Sequence, residues 1–293
     1  MRRTAALVVV GLVVPSILLG QAQVAEVNGV SLPYELDGEG TPLVLIHGWA
    51  VHRGFWDDDV EPFARRHQVI RYDRRGFGAA TGKPDLTADP ADLKALLDRI
   101  GVSRAHVVGH SQGAIVALSF ALRYPDMVDG LVLFGPGMLP GQQPSPGDDL
   151  PDFEEWVAIG QADGIQALRA AIGRWAMESF GGPIEERLGA KAEALLSTYS
   201  GADLLDPPPP SNLVAPAGVA DLAAVTAPTL VIHGEHDLSF ARAAADLLTD
   251  GIPGARRTVL AGAGHAANWQ QPDRFAGAVL EFLASLDRAR RLP

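Results

Sequence analysis

The chain has 293 residues, with 24 lysines and arginines against 35 aspartates and glutamates, so its formal net charge at pH 7 is −11. This acidic balance argues against a protein that tracks nucleic-acid phosphates or docks on an anionic membrane surface. The sequence contains no cysteine, which excludes a thiolate nucleophile, an iron–sulfur cluster, a cysteine-ligated zinc and a disulfide.

Residues 1–22 have the order of a secretory signal peptide. A basic start with two arginines precedes an apolar run over residues 5–19, and Gly20 and Ala22 supply the small residues of a cleavage site. This pattern predicts export to the periplasm or the extracellular space, with no membrane attachment after cleavage. The alternative is an uncleaved membrane anchor, which Pro15 and the short apolar run disfavour.

Eight segments of the chain after residue 22 have the sequence patterns of β-strands. Asn28-Gly29 between two such segments is typical of a tight hairpin. A continuous apolar run, as at residues 43–46, is typical of a strand buried on both faces. The predicted strands are residues 24–27, 30–35, 43–46, 69–72, 105–108, 131–134, 229–232 and 257–260.

Helical patterns separate these strands. Asp89-Pro90 is predicted to supply the N-cap and first residue of a helix whose apolar positions 93, 96, 97 and 100 share one face. Further helices are predicted over residues 114–123 and 272–286. Strands alternating with helices predict an α/β fold with a mostly parallel, doubly wound sheet.

Residues 139–223 interrupt this alternation, because they contain helical patterns and no strand pattern. We interpret them as a helical lid over the carboxyl ends of the strands, where open α/β sheets bind ligands. A helical decoration away from the site is the alternative. The predicted organisation is a signal peptide (1–22), a first part of the core (23–138), the lid (139–223) and a second part of the core (224–293).

The sequence Gly109-His110-Ser111-Gln112-Gly113 matches the pattern G-x-S-x-G. It follows a predicted buried strand and opens a predicted helix, which is the position of a nucleophile elbow. The glycines allow a strained backbone and a close approach of strand and helix. Such a turn lifts the Ser111 hydroxyl above the sheet and directs helix N–H groups at developing negative charge.

A serine hydroxyl needs a base to become nucleophilic at neutral pH. Of the eight histidines, His265 is the candidate, because it lies in a glycine-rich loop after the last strand. A carboxylate must then orient the imidazole. Asp237 follows the strand at 229–232 and is favoured over Glu235, its main rival, and over the more distant Asp129. The order Ser111, Asp237, His265 is the one expected for this type of fold.

Two backbone N–H groups are predicted to form an oxyanion hole. The strand at 43–46 ends in His47-Gly48-Trp49, where Gly48 allows a turn that points the Trp49 N–H inward. The N–H of Gln112 supplies the second donor.

Five segments of the sequence together resemble the α/β-hydrolase superfamily. They are residues 43–49, Tyr72-Asp73-Arg74-Arg75-Gly76-Phe77-Gly78, and residues 109–113, 234–237 and 264–265. The resemblance covers nearly the whole mature chain except the helical insertion, which is similar to the variable lid of that family. It implies a triad of Ser111, Asp237 and His265 with oxyanion donors at Trp49 and Gln112. The turn at 73–78 resembles that of esterases and cofactor-free haloperoxidases, and arginine–carboxylate pairs are expected to brace it.

These observations predict a serine hydrolase that cleaves a small or medium apolar carboxylic ester through an acyl-enzyme. No cofactor is required, and neither His106 with His110 nor His233 with His236 has the setting of a metal site. A small-molecule ester is the expected partner. The predicted substrate pocket consists of Trp49, His110, Phe153, Trp156 and Trp175, with Ile159, Met177 and Phe180 as further wall residues.

Two classes of alternative remain open. The same triad could serve a C–C bond hydrolase, a haloperoxidase or perhydrolase, or an aminopeptidase. A non-catalytic binding protein with the α/β-hydrolase fold is the second class, and the presence of all three triad residues disfavours it.

Overall fold

The computed structural model describes residues 20–179 and 186–291. A single eight-stranded sheet runs through this part of the chain in the order β1-β2-β4-β3-β5-β6-β7-β8. The pairs β1–β2 and β2–β4 are antiparallel, and the remaining neighbours are parallel, which confirms the predicted α/β fold. The strands are β1 (Gln23–Val27), β2 (Val30–Asp37), β3 (Thr41–Ile46), β4 (His67–Tyr72), β5 (Ala105–His110), β6 (Val128–Phe134), β7 (Thr229–Gly234) and β8 (Arg256–Leu260).

Helices cover both faces of the sheet. In the described residues they are α1 (Asp57–Ala64), α2 (Asp89–Arg99), α3 (Gln112–Arg123), α4 (Phe153–Asp163), α5 (Ile165–Ser179), α6 (Glu186–Leu196), α7 (Ala202–Leu205), α8 (Ser239–Gly251), α9 (Ala267–Gln270) and α10 (Pro272–Arg291). The helices α1 and α8 and the short helices α7 and α9 were not predicted from the sequence.

None of the helices described here combines the length and the apolar character needed to span a bilayer. Residues 1–19 of the predicted signal peptide lie outside the described residues, as does Phe180. Export therefore stays a prediction.

The apolar run of β3 explains how one strand contributes to two cores. Leu43 and Leu45 pack on one face with side chains of α1 and α10, whereas Val44 and Ile46 pack on the other with side chains of α2 and α3. All four residues are fully buried. Alternation along a strand places successive side chains on opposite faces, so a continuous apolar run is required here.

The hairpin at the amino end has the predicted turn. Asn28 and Gly29 have φ values of 45° and 77°, and Val27 pairs with Val30 across the turn. Two positive φ angles in a two-residue loop match the twist of the flanking strands, which is why Asn-Gly is favoured there.

Between β6 and β7 the described residues form α4 to α7, which we call the helical segment (153–205). Leu168, Ile172 and Tyr199 of this segment are buried in one cluster with Ala50 and Phe77 of the core. The helical segment therefore packs on the loops that follow the strands. Its role as a lid and the boundaries 139 and 223 stay predictions.

Candidate active site

Ser111 lies at the sharp turn between β5 and α3. Its backbone has φ 53° and ψ −122°, a conformation that L-residues rarely adopt. The turn fits because its glycines carry no side chain. A Cβ on Gly109 would lie 2.2 Å from the carbonyl oxygen of Gly113, and a Cβ on Gly113 would lie 2.4 Å from that of His47. This geometry matches the predicted nucleophile elbow.

A hydrogen bond joins the predicted base to the predicted carboxylate. His265 Nδ1 lies 2.7 Å from Asp237 Oδ1, and Asp237 is buried. The same oxygen accepts the backbone N–H of Leu238 at 2.8 Å. Because a carboxylate only accepts, His265 carries a proton on Nδ1, and its Nε2 is free to take up another proton.

The two rival carboxylates lie elsewhere. Glu235 accepts the backbone N–H of Gly262 at 2.9 Å and is more than half exposed. Asp129 pairs with Arg104 at 2.6 Å near the amino end of β6, at the opposite edge of the sheet. The structure therefore brings Asp237 to His265, in agreement with the preference derived from the sequence.

Ser111 and His265 line one cavity of about 110 Å³. Phe55 and Trp269 of the core line it, and Trp175 belongs to the part of the lining contributed by the helical segment. In the described part of the chain, no Asp, Glu, Lys or Arg lines this cavity. No hydrogen bond between described residues joins Ser111 Oγ to His265, and such bonds are often absent without substrate.

Three of the five predicted pocket residues, Trp49, His110 and Trp175, line the cavity. Phe153 and Trp156 do not, which corrects that part of the prediction. The Trp156 ring stacks on Trp49 at 5.7 Å with an interplanar angle of 6°, and Phe153 packs edge-on against Trp49 while remaining 47% exposed. Both rings support the far side of Trp49.

Of the further wall residues, Ile159 packs in the same cluster as Trp156. Met177 borders a different groove, between α5 and α6.

The two predicted oxyanion donors are available. Among the described residues neither the backbone N–H of Trp49 nor that of Gln112 has a hydrogen-bond partner. Gly48 brings its loop against the elbow, since a Cβ on Gly48 would lie 3.2 Å from Ser111 Cβ. Gln112 is the first residue of α3, where helix N–H groups have no intrahelical acceptor. Both amides can therefore meet an anion next to Ser111.

The family described as alpha/beta hydrolase fold matches residues 41–272. The chain belongs to the α/β-hydrolase fold family. Since this match covers most of the sequence and the relatives in this family are hydrolases, the protein is a hydrolase.

Several relatives and solved structures are similar to this chain over nearly their whole length. The putative carbamate hydrolase RutD of Azorhizobium caulinodans is 30% identical over 266 residues, which cover 88% of this chain and 96% of that protein. The pimeloyl-[acyl-carrier protein] methyl ester esterase of Nitrosomonas europaea is 28% identical, with 84% and 96% covered. A hydrolase from Pseudomonas aeruginosa PA01 is 29% identical with a TM-score of 0.74, and 92% of this chain and 99% of that chain are covered.

In this α/β-hydrolase the turn at 73–78 is braced by ion pairs, as expected from the sequence. Arg53 Nη1 lies 2.6 Å from Asp73, and Arg75 Nε lies 2.5 Å from Asp92. Arg74 is fully buried and donates to the side chain of Gln112. The turn therefore contacts the elbow directly, through Arg74 and Gln112.

The N-cap predicted at Asp89 is wrong. The helix α2 begins at Asp89, and the cap position is Ala88. The Asp89 carboxylate faces Arg74 at 3.2 Å instead. Burial raises the pKa of Asp89 to about 7, while Arg74 opposes this shift.

His47 connects the braced turn to the oxyanion loop. Burial, assisted by the charge of Arg74, lowers the pKa of His47 well below its usual range, so the imidazole is neutral. Its Nε2 accepts the backbone N–H of Arg74 at 3.0 Å, and its Nδ1–H consequently donates to the carbonyl oxygen of Gly48 at 2.8 Å. The position of Gly48 is thus fixed by a buried neutral histidine.

His110 has a role that the sequence did not indicate. Burial, and to a lesser extent the neighbouring His265, lowers the pKa of His110 well below its usual range. The neutral ring stacks on Phe55 at 4.3 Å, and its Nε2 lies 3.0 Å from the carbonyl oxygen of His265. Since a carbonyl only accepts, Nε2 carries the proton. A histidine inside the elbow motif thus holds the loop of the candidate base.

The described residues contain no cluster of three or more histidine, aspartate or glutamate side chains that could hold a metal ion. His106 lies near the amino end of β5, away from the candidate site, where its ring is 5.9 Å from that of His67.

Proposed function

We propose that this hydrolase is a serine esterase that cleaves compact, uncharged carboxylic esters through an acyl-enzyme intermediate. The observation that carries this proposal is the hydrogen bond between His265 and Asp237 at the edge of the cavity that Ser111 lines. A base oriented by a buried carboxylate beside an elbow serine is the arrangement that acyl transfer requires.

The reaction follows from the position of each group. Ser111 Oγ attacks the ester carbonyl carbon while His265 Nε2 takes the hydroxyl proton, and Asp237 stabilises the resulting imidazolium. The carbonyl oxygen becomes an oxyanion that the N–H groups of Trp49 and Gln112 stabilise. Collapse of this intermediate expels the alcohol, which takes the proton from His265. Water then attacks the acyl-enzyme with His265 as base, which releases the acid and restores Ser111.

The cavity supports a small and uncharged substrate. Its volume of about 110 Å³ is below the ~150 Å³ of an apolar cavity that holds benzene, so we expect an acyl chain of roughly four or five carbons to fill it. A charged group on the buried part of the substrate would lose its hydration, and none of the described lining residues carries a formal charge to compensate.

The test is a panel of p-nitrophenyl esters from acetate to octanoate. We expect kcat/KM to be highest near butyrate and to fall by about tenfold or more at octanoate, because the longer chain no longer fits. Ser111→Ala is expected to lower turnover by about 10³-fold or more. Ser119→Ala is the control, since Ser119 is a buried serine on α3 that lies outside the cavity. An unchanged rate in Ser111→Ala would contradict the proposal.

A carbamate is the second candidate substrate, favoured by the relative of 30% identity described as a putative carbamate hydrolase. Carbamates pass through the same oxyanion, so the triad serves either bond. An ethyl carbamate turned over faster than ethyl butyrate would favour this candidate. A C–C hydrolase, perhydrolase or aminopeptidase would be recognised by turnover of the matching substrate and no ester hydrolysis.

We further propose that residues 1–22 direct export of the protein and that the helical segment acts as a lid. Mass spectrometry of the secreted or periplasmic protein is expected to give a mature chain beginning at Gln23. A chain that retains its first residues and sediments with membranes would support the anchored alternative.

A further inference from the structure

The Trp49 side chain is held by the helical segment, far along the chain from its own loop. The indole N–H donates to Asp203 Oδ2 at 2.5 Å, across 154 residues. The ring also stacks on Trp156 and meets Tyr199 edge-on at 5.4 Å. One directional hydrogen bond and a stacked ring together fix the orientation of an indole.

Asp203 is itself well positioned to act as this acceptor. It is 6% exposed, lies on α7, and its second oxygen accepts the hydroxyl of Tyr199 at 2.6 Å. Burial and the charge of Asp203 raise the pKa of Tyr199, so the phenol stays protonated and continues to donate. Both carboxylate oxygens therefore have a donor, and the group is fixed at the junction of helical segment and core.

The backbone next to Trp49 needs such support. Ala50 has a φ of 59°, in the left-handed region that non-glycine residues seldom adopt, and it is buried. A turn of this kind persists only when surrounding contacts determine it. Gly48 is held from one side by His47. From the other side, the Trp49 ring provides the contact with the helical segment.

We propose that Asp203 is a positioning residue for the oxyanion hole. By holding the Trp49 indole, it fixes the direction of the Trp49 backbone N–H, so that docking of the helical segment completes the oxyanion hole. Asp203 does not touch the reacting atoms and acts through Trp49. This inference rests on the proposed serine hydrolase mechanism, because it assigns the Trp49 amide as a donor to the oxyanion.

Two variants separate the parts of this arrangement. Asp203→Ala removes the acceptor, whereas Trp49→Phe removes the indole N–H but keeps an aromatic ring and the backbone amide. A donor displaced by a fraction of an ångström stabilises the transition state less while leaving substrate binding nearly intact. For p-nitrophenyl butyrate we expect each variant to lower kcat by about 10- to 100-fold with KM within about threefold.

The double variant provides the decisive comparison. If both residues act through one hydrogen bond, Asp203→Ala in the Trp49→Phe background should lower kcat by less than about twofold. Fully additive losses would overturn the proposal, as would a rise in KM at unchanged kcat. If Asp203→Ala fails to fold, Trp49→Phe is compared with the packing control Leu168→Ala. A lower kcat at nearly unchanged KM in Trp49→Phe, but not in Leu168→Ala, then supports the proposal.

Two control variants test whether the loss of kcat could come from poorer packing or from the loss of any carboxylate near α7. Leu168→Ala removes a fully buried side chain from the same cluster without touching the hydrogen bond. It should lower the melting temperature but leave kcat within about threefold, and an equal loss of kcat would reduce Asp203 to a packing role. Asp206→Ala removes an exposed carboxylate just after α7, which pairs with Lys83. Its kcat should equal that of the unsubstituted protein.

The labelling rate of Ser111 by a fluorophosphonate distinguishes failure of this inference from failure of the proposed function. If the unsubstituted protein is not labelled, the serine mechanism itself is wrong. If it is labelled and Asp203→Ala is labelled at the same rate, the mechanism stands and the positioning role of Asp203 is refuted.

Discussion

His110 Nε2 donates a hydrogen bond to the backbone carbonyl oxygen of His265, 3.0 Å away. One residue adjoins the candidate nucleophile and the other is the candidate base, so this bond links the two loops that must cooperate. The stacking of His110 on Phe55 holds the donor in place.

Replacing His110 by phenylalanine tests this link. The variant keeps a ring that can stack on Phe55 but leaves the His265 carbonyl without its donor, so the base loop should lose its fixed position. We expect kcat for p-nitrophenyl butyrate to fall by about tenfold, with a smaller change in KM. His236→Phe is the control, because His236 is an exposed histidine of the neighbouring loop. Equal kcat values for both variants would contradict the assigned role.

The carboxylate assignment is tested by amide substitutions. Asp237→Asn keeps the size of the side chain but no longer stabilises the imidazolium, and we expect kcat to fall by about 10³- to 10⁴-fold. Glu235→Gln should change kcat by less than about threefold, because Glu235 is exposed. Its described contacts are a hydrogen bond from the Gly262 amide and an approach of 3.9 Å to His236. A larger loss in Glu235→Gln than in Asp237→Asn would reverse the assignment.

The size limit of the cavity is tested on α6. Ala192 lines the cavity and is buried, so Ala192→Leu should fill part of the space that the acyl chain occupies. We expect the ratio of kcat/KM for butyrate to that for acetate to fall by about tenfold. Ala190→Leu on the exposed side of the same helix should leave this ratio unchanged. A ratio unaffected in Ala192→Leu would place the acyl chain elsewhere.

The buried carboxyl group of Asp59 is expected to make the folded protein less stable as the pH rises towards neutrality. Burial raises its pKa to about 7, although the amide of Asn268 donates to it at 2.7 Å. Between about pH 4 and pH 7 the folded state therefore retains a proton that the unfolded state has lost. The stability that the protonated Asp59 contributes is complete below the unfolded pKa of about 4 and is lost as the pH rises through about 7.

Asp59→Asn removes this titration. Between pH 5 and pH 8 the free energy of unfolding of the unsubstituted protein should fall relative to that of Asp59→Asn by about 2–3 kcal/mol. Urea denaturation of both proteins across this range measures the difference. Parallel pH profiles would show that the pKa of Asp59 is not raised.

The elements that the sequence predicted well are those whose signal is local. The hairpin at Asn28-Gly29, the buried run of β3 and the turn at Ser111 are each specified by a few consecutive residues, so no distant contact is needed to recognise them. The convergence of Asp237 with His265 also followed from chain order, because both loops leave neighbouring parallel strands at the same edge.

The features that the sequence did not predict have weaker local patterns or depend on contacts between distant parts of the chain. The helix α1 contains Pro62, and a proline inside a helix usually argues against predicting one. The aromatic side chains Phe153 and Trp156 were expected to line the pocket because hydropathy cannot distinguish a cavity wall from the layer behind it. The bond between Trp49 and Asp203 has no signature along the chain.

The central claim is that Ser111 is the nucleophile, and mass spectrometry of the intact and digested protein after fluorophosphonate treatment tests it most directly. We expect one phosphonyl adduct, located on Ser111 and absent in the Ser111→Ala variant, while Ser119→Ala is labelled as fast as the unsubstituted protein. An adduct on another residue, or no adduct on a folded protein, would contradict the serine hydrolase mechanism.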